Sequence, residues 1–187
     1  MVLRHAALAL CGVCGGLSGW FWSAAVLALD TDRQQPIHIE ADQLDVDDAQ
    51  GVSVYRGAVK YTQGTIELTA DEVTLTTNAK RELSGVIAIG KPATFRQTLD
   101  PAGGELRGES ERIEYDAQTE HVVLLGSAHL WYCGDEFASS RIEYFMAQEL
   151  VKASKANDGK GRVQVTIQPR ESNVDGKVPC HRLKVAP

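Results

Sequence analysis

From Ile37 onward, apolar and polar residues take turns along the chain. Ile37 and Ile39 flank His38, and Leu44 and Val46 flank Asp45. Val59 and Tyr61 enclose Lys60, Ile66 and Leu68 enclose Glu67, and Val73 and Leu75 enclose Thr74. Successive side chains of a strand point to opposite faces, so each run gathers its apolar members on one side. Val163, Val165 and Ile167 form the last clear run of this kind. Turn-forming residues punctuate the runs at Asp47-Asp48, Gln63-Gly64, Asn78, Asp100-Pro101, Gly103-Gly104 and Asn157-Asp158-Gly159. Little helical periodicity is present. The pattern predicts an all-β protein of many short antiparallel strands.

The strands also repeat. Ala41-Asp42-Gln43-Leu44-Asp45-Val46 is echoed by Ala70-Asp71-Glu72-Val73-Thr74-Leu75. The second half restarts with Ser110-Glu111-Arg112-Ile113-Glu114-Tyr115 and Ser139-Ser140-Arg141-Ile142-Glu143-Tyr144. The first and third boxes start 69 positions apart, as do the second and fourth, and Gly57 and Gly126 keep the same interval. Within a half the box returns after 29 positions, and Gly90 follows the second box as Gly57 follows the first. One such unit cannot bury its own apolar face, so neighbours must stack. An elongated stack with two inner faces is expected. The candidate inner-face residues are Ile37, Ile39, Leu44, Val46, Val54, Val59, Tyr61, Ile66, Leu68, Val73, Leu75, Ile87, Ile89, Phe95, Ile113, Tyr115, Val123, Leu125, Leu130, Ile142 and Tyr144. Such a stripe is either a dry core or, if the sheets part along one side, a site for acyl chains.

The first residues differ in kind. Arg4 and His5 precede an uncharged stretch from Ala6 to Leu29, which Asp30 ends. A basic start, an apolar centre and small residues near the end describe a secretory signal cut after Ala28. An uncleaved anchor is the alternative, because the run with Trp20, Phe21 and Trp22 is long enough to span a bilayer. The expected organisation is a signal at 1–28, a β domain at 29–168 and a flexible tail at 169–187. Residues before Pro36 are polar and expected to be loose.

Charge and candidate chemistry narrow the function. The net charge of -6 argues against a nucleic-acid partner and against capture of anionic lipid by charge alone. Such a lipid would have to be held by its apolar part. Cys11 and Cys14 form a C-x-x-C match, but they lie inside the expected signal. Cys133 and Cys180 remain, and an oxidising compartment permits them to pair. Gly85 to Lys91 has phosphate-loop spacing, but Pro92 stands where Ser or Thr is needed. Asp45, Asp47 and Asp48 fail as a calcium loop, because Gln50 and Arg56 occupy the glycine and acid positions. The paired carboxylates Asp71-Glu72 and Glu109-Ser110-Glu111 belong to the repeated box. His38, His121, His129 and His181 are scattered, so no metal site is predicted. No nucleophile elbow is present. No cofactor and no catalytic residue are predicted.

Three ordered segments carry a family resemblance. Gln35-Pro36-Ile37-His38-Ile39-Glu40-Ala41-Asp42, Tyr61-Thr62-Gln63-Gly64-Thr65-Ile66 and Gly90-Lys91-Pro92-Ala93-Thr94-Phe95 resemble the LptA/OstA-like family of periplasmic lipopolysaccharide-transport bridge proteins. With the repeated box they cover most of Gln35 to Ile167. Neither Cys133 nor Cys180 belongs to these motifs. The resemblance implies a slightly open jellyroll of about sixteen antiparallel strands. It implies a periplasmic carrier of lipopolysaccharide, not an enzyme, joined edge to edge with inner-membrane-anchored LptC, with outer-membrane LptD and with itself. It places Ile37, Ile39, Phe95 and Tyr115 in the groove. The expected partner edges are Ile37, His38, Ile39 and Glu40 at one end, and Val163, Val165 and Ile167 at the other. A membrane-anchored member of the same fold and a dry-core β-solenoid interaction protein are the alternatives.

Overall fold

A computed structural model describes residues 32–99, 104–155 and 162–169, and the backbone of Lys184–Val185. The expected signal with Cys11 and Cys14, the turns at Asp100-Pro101 and Asn157-Asp158-Gly159, His181, and Cys180 with most of the expected tail lie outside the described residues.

The alternating runs fold as strands: β1 (Ile37–Glu40), β2 (Gln43–Asp47), β3 (Val52–Gln63), β4 (Ile66–Thr77), β5 (Leu83–Thr98), β6 (Glu105–Asp116), β7 (His121–Tyr132), β8 (Asp135–Phe145), β9 (Leu150–Ser154), β10 (Gln164–Thr166) and β11 (Lys184–Val185). One 3-10 turn, Met146–Gln148, links β8 to β9. All belong to one sheet, in the order β1-β3-β4-β5-β6-β7-β8-β9-β11, with β2 also on β3 and β10 also on β8. Pairing is antiparallel throughout except between β11 and β9, which run parallel. Within the expected tail, Lys184–Val185 adds a strand to β9. The described residues hold eleven strands, against the expected sixteen or so. The long strands bend without breaking.

The bend is visible in the register. Pairing slips between Arg56 and Val59 of β3, Thr69 and Glu72 of β4, Ile89 and Ala93 of β5, Glu109 and Arg112 of β6, and Leu125 and Ala128 of β7. Bulges of this kind kink a strand and raise its local twist. Lined up across successive strands, they form a crease. The repeated sequence boxes start at this crease, and the repeated glycines lie on it. Gly57 and Gly126 have φ of +84° and +77°, which glycine adopts without strain. A side chain at Gly57 would run into Asp42, and one at Gly126 into Glu111. Both acids are the second residue of a box. The sequence repeat is thus a repeat of bending points.

Two limbs result, and their rims face each other. One rim holds Gly64-Thr65, Thr98 and the turn Cys133-Gly134; the other holds the turns near Asn78 and Ala117–Glu120. A flat twelve-residue strand would separate the rims by about 40 Å. Yet Asp32 bonds to Thr65 and its neighbour Arg33 pairs with Glu120. Adjacent Cα atoms are only about 3.8 Å apart. The sheet must therefore fold back on itself at the crease.

The inner phase follows from the pairing. Leu75, Val86, Tyr115, Val122, Tyr144 and Val151 lie in one row across one limb. Leu68, Phe95, Gly108, Leu130 and Phe137 lie in a row across the other. Five expected inner residues belong to the opposite phase. Val54 pairs with Asp45 and Thr74. Ile87 lies between Thr74 and Glu114, and Ile89 between Glu72 and Arg112. Val123 lies between Glu114 and Glu143, and Leu125 between Arg112 and Arg141. The runs Val86-Ile87-Ala88-Ile89 and Val122-Val123-Leu124-Leu125 are continuously apolar, so alternation cannot set their phase. Pairing with strands of clear alternation sets it instead.

Candidate functional site: an apolar groove between two limbs

Between the limbs lies a cavity of about 460 Å³. That is within the range of about 300–1,000 Å³ common to ligand pockets. Ile66, Leu68, Phe95 and Leu106 line it from one limb. Val86, Ile113, Tyr115, Val122 and Met146 line it from the other. The walls stand on a packed floor in which Val59, Val73, Leu106, Leu124, Leu130, Ile142 and Val151 are fully buried. Gly108 shapes one wall: a side chain there would collide with the Phe95 ring and with Leu124.

Asp32, Arg33 and Glu82 are the charged residues of the lining, and the rest of the groove is uncharged. Burial pushes the Tyr61 and Tyr144 phenols well above their ordinary value. Burial also raises the Tyr115 phenol, and Arg33 beside it pulls the other way. These phenols are neutral at physiological pH. Tyr61 donates its hydroxyl proton to Gln63 Oε1 at 2.7 Å. Among the described residues no three His, Cys, Asp or Glu side chains gather where a metal could be held. The ion pairs whose neighbours fix their face, such as Glu67 with Arg96 and Arg56 with Glu72, lie on the outer phase. What the interior offers is apolar surface.

Of the expected inner-face residues, Val59, Tyr61, Leu68, Val73, Leu75, Ile113, Leu130, Ile142 and Tyr144 are buried in the interior. Ile39, Ile66, Phe95 and Tyr115 are half-buried against it. Ile37, Leu44 and Val46 share the inner phase through Gln63, Tyr55 and Ser53, but they are exposed on the edge strands β1 and β2. Val163, Val165 and Ile167 are exposed at the other edge, where Val165 sits opposite Phe137. Sequence reasoning missed Val86, Leu106, Val122, Leu124, Phe137 and Val151. It also missed Asp32, which is only 4% exposed despite the expectation of a loose polar lead-in. Its partners Thr65 and Gln97 are 33 and 65 positions away, so no local pattern announces them. Cys133, in the β7–β8 turn, is disulfide-bonded. No other cysteine lies among the described residues.

Together these features define a class: a curled antiparallel sheet that encloses a largely apolar groove and ends in edges with exposed apolar residues. The family described as LptA/(LptD N-terminal domain) LPS transport protein matches residues 38–150. The lipopolysaccharide export system protein LptH of Pseudomonas aeruginosa is 34% identical over 161 residues, covering 83% of this chain and 92% of that one. The corresponding protein LptA of Escherichia coli K12 is 33% identical over 164 residues, covering 86% and 87%. The crystal structure of Pseudomonas aeruginosa LptH, described as the LptA-homologous periplasmic component of the lipopolysaccharide transport device, matches with a TM-score of 0.69 and 34% identity. That match covers 74% of this chain and 99% of the other. The chain belongs to the LptA/LptD N-terminal family of lipopolysaccharide transport proteins, as the three resembling segments implied. Among the described residues no helix is long and apolar enough to cross a membrane.

Proposed function

We propose that this chain binds lipopolysaccharide by its acyl chains and passes it through the periplasm, from inner to outer membrane, as one unit of a protein bridge. It is a carrier and not a catalyst. The curled sheet is read as the slightly open jellyroll of the family. The carrying observation is that the apolar inner phase continues to both ends of the sheet. Ile37, Leu44 and Val46 are exposed at one edge, and Val163, Val165 and Ile167 at the other. An exposed apolar edge is ordinarily guarded, because it invites pairing with another chain. Strand addition at such an edge supplies backbone hydrogen bonds and joins two grooves end to end. The partners are then LptC at one end, LptD at the other, and further copies head to tail between them. Each methylene taken from water is worth about 0.8 kcal/mol, so a multi-chain lipid is held without charge contacts.

A photo-crosslinking residue placed at Phe95, on the groove wall, is expected to capture lipopolysaccharide in cells. The same residue at Glu67, which pairs with Arg96 on the outer phase, is expected not to. Equal capture at the two positions would refute the groove reading.

A further inference from the structure

The chain leading into β1 crosses the mouth of the groove, and Asp32 and Arg33 both line the cavity. It is fastened differently to the two rims. On one rim, Asp32 Oδ1 accepts the Thr65 amide proton at 2.9 Å. Its Oδ2 accepts from the Thr65 hydroxyl at 2.7 Å and from Gln97 Nε2 at 3.1 Å. Gln63 Nε2 donates to the carbonyls of Arg33 and Gln35 at 3.3 and 3.1 Å. Asp32, Gln63 and Gln97 are all buried, so releasing this attachment would strand polar groups without partners. On the other rim the segment is fastened by the Arg33 guanidinium. It pairs with Glu120 at 2.7 Å and donates to the Tyr115 hydroxyl at 2.9 Å. The Arg33 and Glu120 side chains are 40% and 34% exposed, and water can replace each for the other. Exposed pairs of this kind add little stability.

We propose that Asp32–Gln35 is a latch over the groove, hinged at Asp32 and fastened at Arg33, which opens at the Glu120 side to admit acyl chains. This rests on the reading of the groove as an acyl-chain site. The asymmetry sets the direction of opening. Breaking the Arg33 contacts exposes groups that water satisfies, whereas breaking the Asp32 contacts does not. An open latch parts Arg33 from Glu120 and uncovers Tyr115 on the far wall. Loading through a minor open state proceeds in proportion to that state's population.

Stopped-flow fluorescence with fluorophore-tagged laurate and the purified full chain tests this. Arg33→Ala and Glu120→Gln are each expected to speed laurate association by up to roughly fivefold. Leu83 lines the cavity as Phe95 does, and two wall variants, Phe95→Gln and Leu83→Gln, are expected to weaken laurate binding. Amide exchange on the unsubstituted chain gives a second readout. Bound laurate should leave both the Thr65 and the Gln35 amides protected, since opening parts only the Arg33 side chain from the far rim, and a loss of protection at Thr65 would overturn the hinge. Unchanged association rates in both latch variants, with binding still sensitive to the wall variants, would overturn the latch and leave the groove reading standing. Laurate binding that ignores both wall variants would overturn the groove reading and the latch with it.

Discussion

Gly108 shows how one residue sets the shape of the groove. It lies in β6, opposite Phe95 of β5 and Leu130 of β7. With no side chain there, the Phe95 ring lies over the backbone of β6 and Leu124 closes in from the other limb. A methyl group at this position must displace both. Forcing extra volume into packed surroundings typically costs about 1–3 kcal/mol. Gly108→Ala is therefore expected to lower the urea midpoint by a corresponding amount with an unchanged slope. An unaltered midpoint would mean that Phe95 moves aside freely and that Gly108 does not shape the wall. Nothing around Gly108 in the sequence announces this role. The neighbours that require a glycine come from strands elsewhere in the chain.

At the scale of elements, legibility followed alternation. Val73 and Leu75 sit inside as read, because Glu72 and Thr74 separate them and mark the phase. Ile87, Ile89, Val123 and Leu125, expected inside, lie on the outer phase, because their runs lack a polar residue to mark it. The repeat was visible, but its meaning was not: the glycines and boxes mark the crease, and a bulge has no period of its own. The alternating run Val163–Ile167 contains the short strand β10, although β11 follows it in the same sheet. It pairs with β8 over three residues, and Val165 sits opposite Phe137. Its outer side is the candidate docking edge. Deleting residues 163–169 leaves the β3 to β9 pairings intact, so the truncated chain is expected to fold. It is also expected to lose concentration-dependent self-association in light scattering. Persistent self-association by a folded truncation would place the joining edge elsewhere. The latch illustrates the opposite limit, since a single buried carboxylate with distant partners leaves no pattern to read.

At the scale of the whole molecule, Cys133 is the point of a covalent cross-link. Cys133 is disulfide-bonded and sits in the turn beside Asp135, whose carboxylate accepts the Gln168 amide proton at 3.0 Å. The chain after β10 thus passes close to Cys133, and β11 returns the tail to β9. We infer that the partner is Cys180, which would tie the tail to the domain near the C-terminal edge. Closing a loop of this length stabilises by about 4 kcal/mol if the native geometry is unstrained. Thiol counting on protein unfolded without reductant is expected to find neither Cys133 nor Cys180 free. A non-reducing gel is expected to show a monomer. Two free thiols in material taken directly from the periplasm, or a covalent dimer, would end this assignment.

The order of strands makes the molecule a ruler. Nine strands follow one another from β1 to β11 along a single path. With neighbours about 4.8 Å apart, the path is about 40 Å long, and each added hairpin would extend it by about 10 Å. A bridge assembled edge to edge from such units grows only in whole copies. On the proposed bridge reading, the distance between two membranes would be matched by counting units rather than by stretching one. The box, which returns at the bending point of every second strand along the path, is the graduation on that ruler.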